Sequence, residues 1–273
     1  MLMSAMVAED DVLTRSSSTN GRDHPFLTVV IPAYNEAGRL PATLDRIFHY
    51  LNQQEYSAQV IVVDDGSTDG TAAAARRYDE KHHRVEVIEN PHHGKGATVR
   101  RGMLAAHGDI VLFSDADLST PIEELERMLP WFEKGYDVVI GSREGTGARR
   151  YDEPFYRHFM GRVFNTLVRL LAVQAIQDTQ CGFKAFRREV AHDLFSRMRL
   201  YTGDGKTVVG PMVTAFDVEI LYLAQRLGYR IREVPVEWYY SNETKVNPLR
   251  DSWRNLRDVL AVRWNALRGV YND

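Results

Sequence analysis

The sequence predicts an α/β fold built on a mainly parallel, doubly wound sheet, and three observations carry that expectation. Short apolar runs of strand length alternate with longer stretches of helical periodicity. The run Ile110–Phe113 is continuously apolar, as in a strand covered on both faces. Each of the first four short runs ends in a polar or glycine-rich cluster, and right-handed parallel connections gather such loops along one edge of the sheet.

The elements follow in order. Residues 1–24 mix Met, Ser, Thr and acids without periodicity and read as a disordered leader. Residues 25–240 form the main domain. Its first strand, Leu27–Ile31, ends in Pro32-Ala33-Tyr34-Asn35-Glu36, and Leu40, Leu44, Ile47 and Leu51 follow at helical spacing. Val60–Val63 runs into Asp64-Asp65-Gly66-Ser67-Thr68-Asp69-Gly70 and an Ala-rich helix. Val85–Ile88 leads to Asn90-Pro91-His92-His93-Gly94-Lys95-Gly96 and a helix through His107. Ile110–Phe113 ends in Ser114-Asp115-Ala116-Asp117, and Asp137–Ile140 ends in Gly141-Ser142-Arg143. Beyond it, 144–153 reads as a lid-like loop, Phe155–Leu171 as a long one-sided helix that either faces the core or lies on a membrane surface, 190–198 as a helix and Ile231–Trp238 as a late strand. Residues 241–273 form a C-terminal tail. There Trp253, Leu256, Leu260, Trp264 and Leu267 mark one face among five arginines, so the tail is either a packing helix or an amphipathic contact with a bilayer surface.

Composition limits what the chain does. At 273 residues it holds one large α/β domain or two small ones. A formal charge of -3 argues against general nucleic-acid binding. The single cysteine, Cys181, excludes an internal disulfide and suits a reducing cytoplasm; it reads as a small buried hydrophobe. No apolar run approaches the roughly 20 residues that cross a bilayer. Glu9, Asp10 and Asp11 stand where a signal peptide would be basic and then apolar. The expectation is a soluble cytoplasmic protein, at most peripheral at the membrane.

The chemistry concentrates at the strand ends. Asp115 and Asp117, two hard anions on a stiff strand end, suit a divalent cation that also grips phosphates, magnesium or manganese. The bland reading is a solvated pair before a helix capped by Ser119 or Thr120, with Pro121 in its first turn. Residues 32–36 and Asp64-Asp65 can hydrogen-bond a nucleoside, with Asp65 the stronger candidate and Asp69 a helix cap. Gly94-Lys95-Gly96 can offer backbone N–H groups and an ammonium to an anion, or be a flexible turn.

Together, Val29–Glu36, Val62–Asp69, Gly94–Gly96 and Ser114–Asp117 resemble the inverting family 2 glycosyltransferases of GT-A fold, a Rossmann-like architecture. Gly141–Arg143, Asp178–Lys184 and Phe216–Glu219 look most like dolichyl-phosphate glucosyltransferases and related polyprenyl-phosphate glycosyltransferases. The resemblance covers roughly residues 26–240. Many relatives carry transmembrane helices at one end, and no such run is present here. It implies that Asp117 and Asp115 hold the metal, with Ser119 and Asp178 completing or supporting the shell. Pro32, Tyr34, Glu36, Asp65 and Lys95 would line the nucleotide pocket. Arg143 and Arg157 would meet the acceptor phosphate, with Arg162 assisting.

The expected reaction is a single in-line displacement moving a sugar, with UDP-glucose favoured, from a nucleotide-sugar to a polyprenyl phosphate. A hydroxyl acceptor would instead need a general base, for which Asp217 is the first candidate and Glu219 the second. Asp115-Ala116-Asp117-Leu118-Ser119 also fits the D-x-D-x-[ST] pattern of haloacid-dehalogenase-type phosphatases, but that reading leaves Lys95 and the Asp64-Asp65 loop without tasks. A homodimer and contact with a membrane surface are left open.

Overall fold

The computed structural model describes residues 24–272 except 83, 155–160, 163, 164, 167, 170, 204–206, 209–214 and 241–247, and omits the side chains of 248–252. The expected leader therefore lies outside the described residues, apart from His24.

A seven-stranded sheet runs in the order β3-β2-β1-β4-β7-β5-β8. Its parallel strands are β1 (Leu27–Ala33), β2 (Ala58–Asp64), β3 (Val85–Glu89), β4 (Ile110–Ser114), β5 (Val138–Ser142) and β8 (Ile231–Pro235). Register aligns Ala33 with Asp64 and Val30 with Phe113, so the loops after β1, β2 and β4 converge on one edge. Alternate residues supply two cores. Val30, Ile61, Val63, Val111 and Phe113 face one, while Val29, Ile31, Val60, Val62 and Leu112 face the other. Helices α1 (Leu40–Leu51), α2 (Thr71–His82), α3 (Lys95–Ala105) and α4 (Leu125–Glu133) connect these strands. Each fully buried Val, Leu or Ile adds about 1.5–3 kcal/mol, so both layers are well supplied. Helix α3 lies directly on the sheet: a Cβ at Gly102 would stand 2.4 Å from Val30 and 2.8 Å from Val63.

The second half departs from expectation. Strand β7 (Phe183–Arg187) inserts antiparallel between β4 and β5. Sequence reading passed over it because Lys184 and Arg187 interrupt an otherwise apolar five-residue run. The loop expected as a lid contains β6 (Arg149–Tyr151), which pairs in parallel with β9 (Glu237–Tyr239) in a separate two-stranded sheet. The single late strand is thus divided between β8 and β9 around Val236, whose N–H bonds Ser142 O at 3.0 Å.

Helix α5 (Arg188–Arg197) follows β7, and α6 (Phe216–Arg226) precedes β8. Much of the long helix expected over 155–171 lies outside the described residues; within them Val168 is fully buried, and Arg162 and Arg169 are exposed. The tail forms α7 (Pro248–Leu267). Its inner face packs through Val259 and Val262, while Trp253, Leu260, Trp264 and Leu267 are exposed. Four of the five residues of the stripe marked out by the sequence therefore face outward, and Leu256 is half-buried. Among the described residues, no helix is long and apolar enough to cross a membrane.

Candidate active site

The loops after β1 and β2 are stitched to each other. Asn35 N–H bonds Ser67 Oγ at 2.8 Å, and Thr68 N–H bonds Asn35 Oδ1 at 2.9 Å. Asn35 adopts φ +53°, which asparagine tolerates better than most residues. Glu36 N–H bonds Thr71 Oγ1 at 2.8 Å, and Glu36 also pairs with Arg39 at 2.8 Å. Asp69 caps α2 as expected, accepting from Thr71 N–H at 3.0 Å. Pro32 sits near the end of β1, opposite Val63.

Asp65 is 2% exposed and turned towards its own chain. It accepts hydrogen bonds from His93 N–H and Gly94 N–H, each at 2.9 Å, and lies 2.7 Å from His92 Nδ1. His92 stacks on Tyr34 with ring centroids 4.0 Å apart. Asp65 thus fixes the loop entering α3 and sets a flat aromatic wall beside the β1 loop. Its neighbour Asp64 is 3% exposed; one oxygen accepts from Ser67 N–H, and Oδ1 has no partner among the described residues. Gly94, at φ +89°, makes the turn that starts α3 with Lys95.

The acidic pair stands at the end of β4. Asp115 N–H bonds Gly182 O at 3.1 Å, and Gly182 lies so close that a Cβ there would be 2.0 Å from Asp115 Oδ2. Lys95 Nζ reaches Asp115 Oδ1 at 2.7 Å. Burial alone would lower the Lys95 pKa, but Asp115, Asp217 and Asp117 raise it. Asp117 Oδ1 accepts from Ser119 N–H at 2.9 Å in a short turn, and the single helical turn Ile122–Glu124 that follows has no side-chain cap from Ser119 or Thr120. The Asp117 side chain is exposed to solvent. Desolvation by the surrounding protein, then the charge of Asp115, nevertheless raises its pKa. Ser119 O accepts from Tyr239 N–H at 2.7 Å, tying this loop to β9.

Behind the pair is a buried ionic core. Lys184 Nζ lies 2.5 Å from Asp217 Oδ1 and donates to Cys181 O; the two side chains are 2% and 7% exposed. Lys95 and Lys184 approach the Phe113 ring at 5.4 and 6.0 Å. Burial raises the Asp217 pKa against the opposing pull of Lys184 and Lys95. Glu219 is fully buried, accepting from Arg199 N–H at 2.8 Å and Tyr271 O–H at 2.8 Å. Neither expected base is exposed, and each carboxylate is engaged internally.

The expectation for Asp178 changes. Asp178, anticipated in the metal shell, is fully buried and accepts from Arg143 N–H at 3.0 Å, Nε at 2.7 Å and Nη2 at 2.8 Å. Although burial opposes it, Arg143 holds the Asp178 carboxyl well below the usual range. Asp178 thus orients Arg143, whose guanidinium also lies 5.4 Å from the Trp238 ring. This fork occupies Nε and part of Nη2, leaving Nη1 to donate elsewhere. Arg157 lies outside the described residues. No hydrogen bond or ion pair among the described residues joins Arg162 to the acidic pair.

These donors fit a hard divalent cation in one respect. Magnesium is commonly held by one or two carboxylates plus substrate phosphates, and Asp115 and Asp117 supply that number from one loop. Among the described residues, no cluster of three or more acidic, His or Cys side chains offers a self-sufficient cage. The residues given no task by sequence reading are His92, Gly182, Lys184 and Trp238. The first three lie inside motifs already quoted, but their contacts cross from one strand end to another.

A family model described as glycosyl transferase family 2 matches residues 28–195. The chain is 34% identical over 269 residues to a dolichyl-phosphate beta-glucosyltransferase of Dictyostelium discoideum, covering 92% of this chain and 78% of that one. A protein of the same name from Drosophila melanogaster is 37% identical, with coverage of 87% and 74%. For the one from Homo sapiens the values are 35%, 90% and 77%. Among solved structures, glucosyl-3-phosphoglycerate synthase from Mycobacterium tuberculosis, in complex with Mn2+, UDP-glucose and phosphoglyceric acid, superposes with TM-score 0.61 at 20% identity. That match covers 91% of this chain and 80% of the other. Mannosyl-3-phosphoglycerate synthase from Rubrobacter xylanophilus gives TM-score 0.62 at 23% identity, with coverage of 89% and 74%. At these identities the likeness concerns the fold, which is GT-A.

Proposed function

The chain belongs to glycosyl transferase family 2, and from that premise we propose that it moves glucose from UDP-glucose to the phosphate of a dolichyl or other polyprenyl phosphate, inverting the anomeric carbon. That the chain is a glycosyltransferase follows from the family. The acceptor and sugar are supported by the names of relatives that match most of its length. The observation that carries the chemistry is the acidic pair beside Lys95 at the edge where the β1, β2 and β4 loops meet.

In this reading Asp115 and Asp117 hold magnesium or manganese, with the Ser119 backbone steadying Asp117. The bound cation offsets negative charge on the diphosphate leaving group. Lys95, at the start of α3, adds an ammonium and the positive end of the helix. Pro32, Tyr34 and Glu36 line the nucleoside side. Asp65 contributes by fixing the 92–94 loop, which sets His92 against Tyr34. Arg143, aimed by Asp178, presents its remaining N–H groups to the acceptor phosphate, with Arg157 and Arg162 as further cations.

A phosphate oxygen attacks the anomeric carbon as the bond to the diphosphate breaks from the opposite face, so UDP leaves and configuration inverts. A phosphate is already ionised near neutral pH and needs no base. This agrees with Asp217 being buried against Lys184 and Glu219 against backbone amides. A hydroxyl acceptor would demand a base that neither carboxylate is exposed to provide. The phosphatase alternative has no support in the family match. A nucleotide-sugar is met in the cytoplasm and a polyprenyl phosphate in a membrane, so the reading implies work at a cytoplasmic membrane face.

The test is a transfer assay with the full chain. UDP- and GDP-sugars are supplied with a short polyprenyl phosphate, the matching polyprenol or phosphoglyceric acid. Formation of a β-linked glucosyl phospholipid from UDP-glucose alone is the expected result. Transfer only to a hydroxyl acceptor, or only from a GDP-sugar, would overturn the assignment.

A further inference from the structure

Helix α7 is apolar on two sides. Its inner side is satisfied: Val259 and Val262 are fully buried, and Asp258 accepts from Tyr201 O–H at 2.5 Å and Ala215 N–H at 3.2 Å. Its outer side carries Trp253, Leu260, Trp264 and Leu267, exposed by 73, 51, 61 and 70%. Spacings of seven, four and three residues put these four on one stripe of an α-helix. Contiguous apolar surface of this kind marks a contact, whereas scattered exposed residues do not.

The charges choose the occupant. Arg257 and Arg263 are exposed on α7, and Arg268 is exposed in the turn that follows. From 253 to 268 the exposed side chains are only Trp, Leu and Arg, and the one acid, Asp258, points inward. A second copy meeting this face symmetrically would bring arginines against arginines. An anionic bilayer receives both components, with the indoles and leucines at the acyl boundary and the guanidinium groups at the headgroups.

We propose that the outer face of α7 lies in the plane of an anionic membrane surface and holds the protein there without crossing it. The Asp258–Ala215 bond fastens the helix next to the first turn of α6, which carries Asp217 at the acidic site. Docking through α7 therefore fixes how the transfer site is presented to the bilayer. The inference depends on this face alone and not on the identity of the acceptor.

The experiment is flotation of the full chain with phosphatidylcholine vesicles, either pure or containing about 30 mol% phosphatidylserine. Wild type floats with the anionic vesicles and far less with the neutral ones. Trp253→Ala/Trp264→Ala lowers the partition coefficient about tenfold or more, and Arg263→Glu/Arg268→Glu removes the preference for anionic lipid. Because these side chains are exposed, both variants keep the wild-type circular dichroism and melting temperature. They also retain turnover on a short acceptor in detergent, so a failed transfer reaction and a failed membrane contact are told apart. Wild type that stays unbound, or variants that float as wild type does, would overturn the proposal. So would a wild-type dimer that the tryptophan variant converts to monomers, since a second copy would then cover the face.

Discussion

The Lys95 ammonium lies 2.7 Å from Asp115 Oδ1, with each side chain about one-third exposed (33% and 32%). The chain thereby neutralises the very carboxylate proposed to take a cation. A lysine in that position competes with a metal arriving alone, yet assists once a diphosphate brings two further charges. Lys95→Met should bind free Mn2+ several-fold more tightly and UDP in the presence of Mn2+ about tenfold more weakly. Isothermal titration of both ligands measures this, and a parallel change in the two affinities would show that Lys95 serves only the fold.

Gly182 is required for space. An alanine methyl there would meet Asp115 Oδ2 at 2.0 Å and its carboxyl carbon at 2.4 Å, so the carboxylate must turn away. Gly182→Ala is expected to keep the sheet and its melting temperature while turnover falls about 100-fold, within the range of losing one transition-state contact. Unchanged kinetics would show that Asp115 has other productive positions.

The Lys184–Asp217 pair is structural. Removing one partner leaves the other charge buried, which costs about 3–5 kcal/mol, whereas replacing both with apolar residues is often close to neutral. Lys184→Met should therefore unfold at much lower urea, and Lys184→Met/Asp217→Leu should recover most of the loss. Additive losses in the double variant would exclude a coupled pair.

Glu219 gives the protein a pH dependence. Burial pushes its carboxyl up to about 6 from 4.5, so the folded chain holds this proton more tightly than the unfolded chain. The associated stability is complete below the lower value and is lost as pH rises through the higher one. Relative to Glu219→Gln, wild type should lose about 2 kcal/mol between about pH 4 and about pH 7. Urea titrations across that window check it, and a flat difference would contradict it.

What sequence could read depended on how local the signal was. The strands of the parallel half were legible because each is a short, largely apolar run closed by a polar or glycine-rich loop, and Asp115 and Asp117 because they follow the continuous run Ile110–Phe113 directly. Strand β7 was not, since a charged lysine at its second position breaks the pattern and pairs with Asp217, 33 residues away. The partnership of Asp178 with Arg143 spans 35 residues, so the family resemblance placed Asp178 in or behind the metal shell where the fold makes it an anchor for a guanidinium. The apolar stripe of α7 was visible, but its outward direction was not. That depends on Val259, Val262 and Asp258 taking the inner face.

The proposed transfer turns on Asp115 and Asp117 holding the cation that engages the donor diphosphate. Mn2+ electron paramagnetic resonance on the full chain, with and without UDP, tests this most directly, comparing wild type with Asp117→Asn. UDP should increase bound Mn2+ in wild type, and Asp117→Asn should cut this gain about tenfold or more while the fold is kept. An Asp117→Asn protein that binds Mn2+ and UDP as wild type does would contradict it.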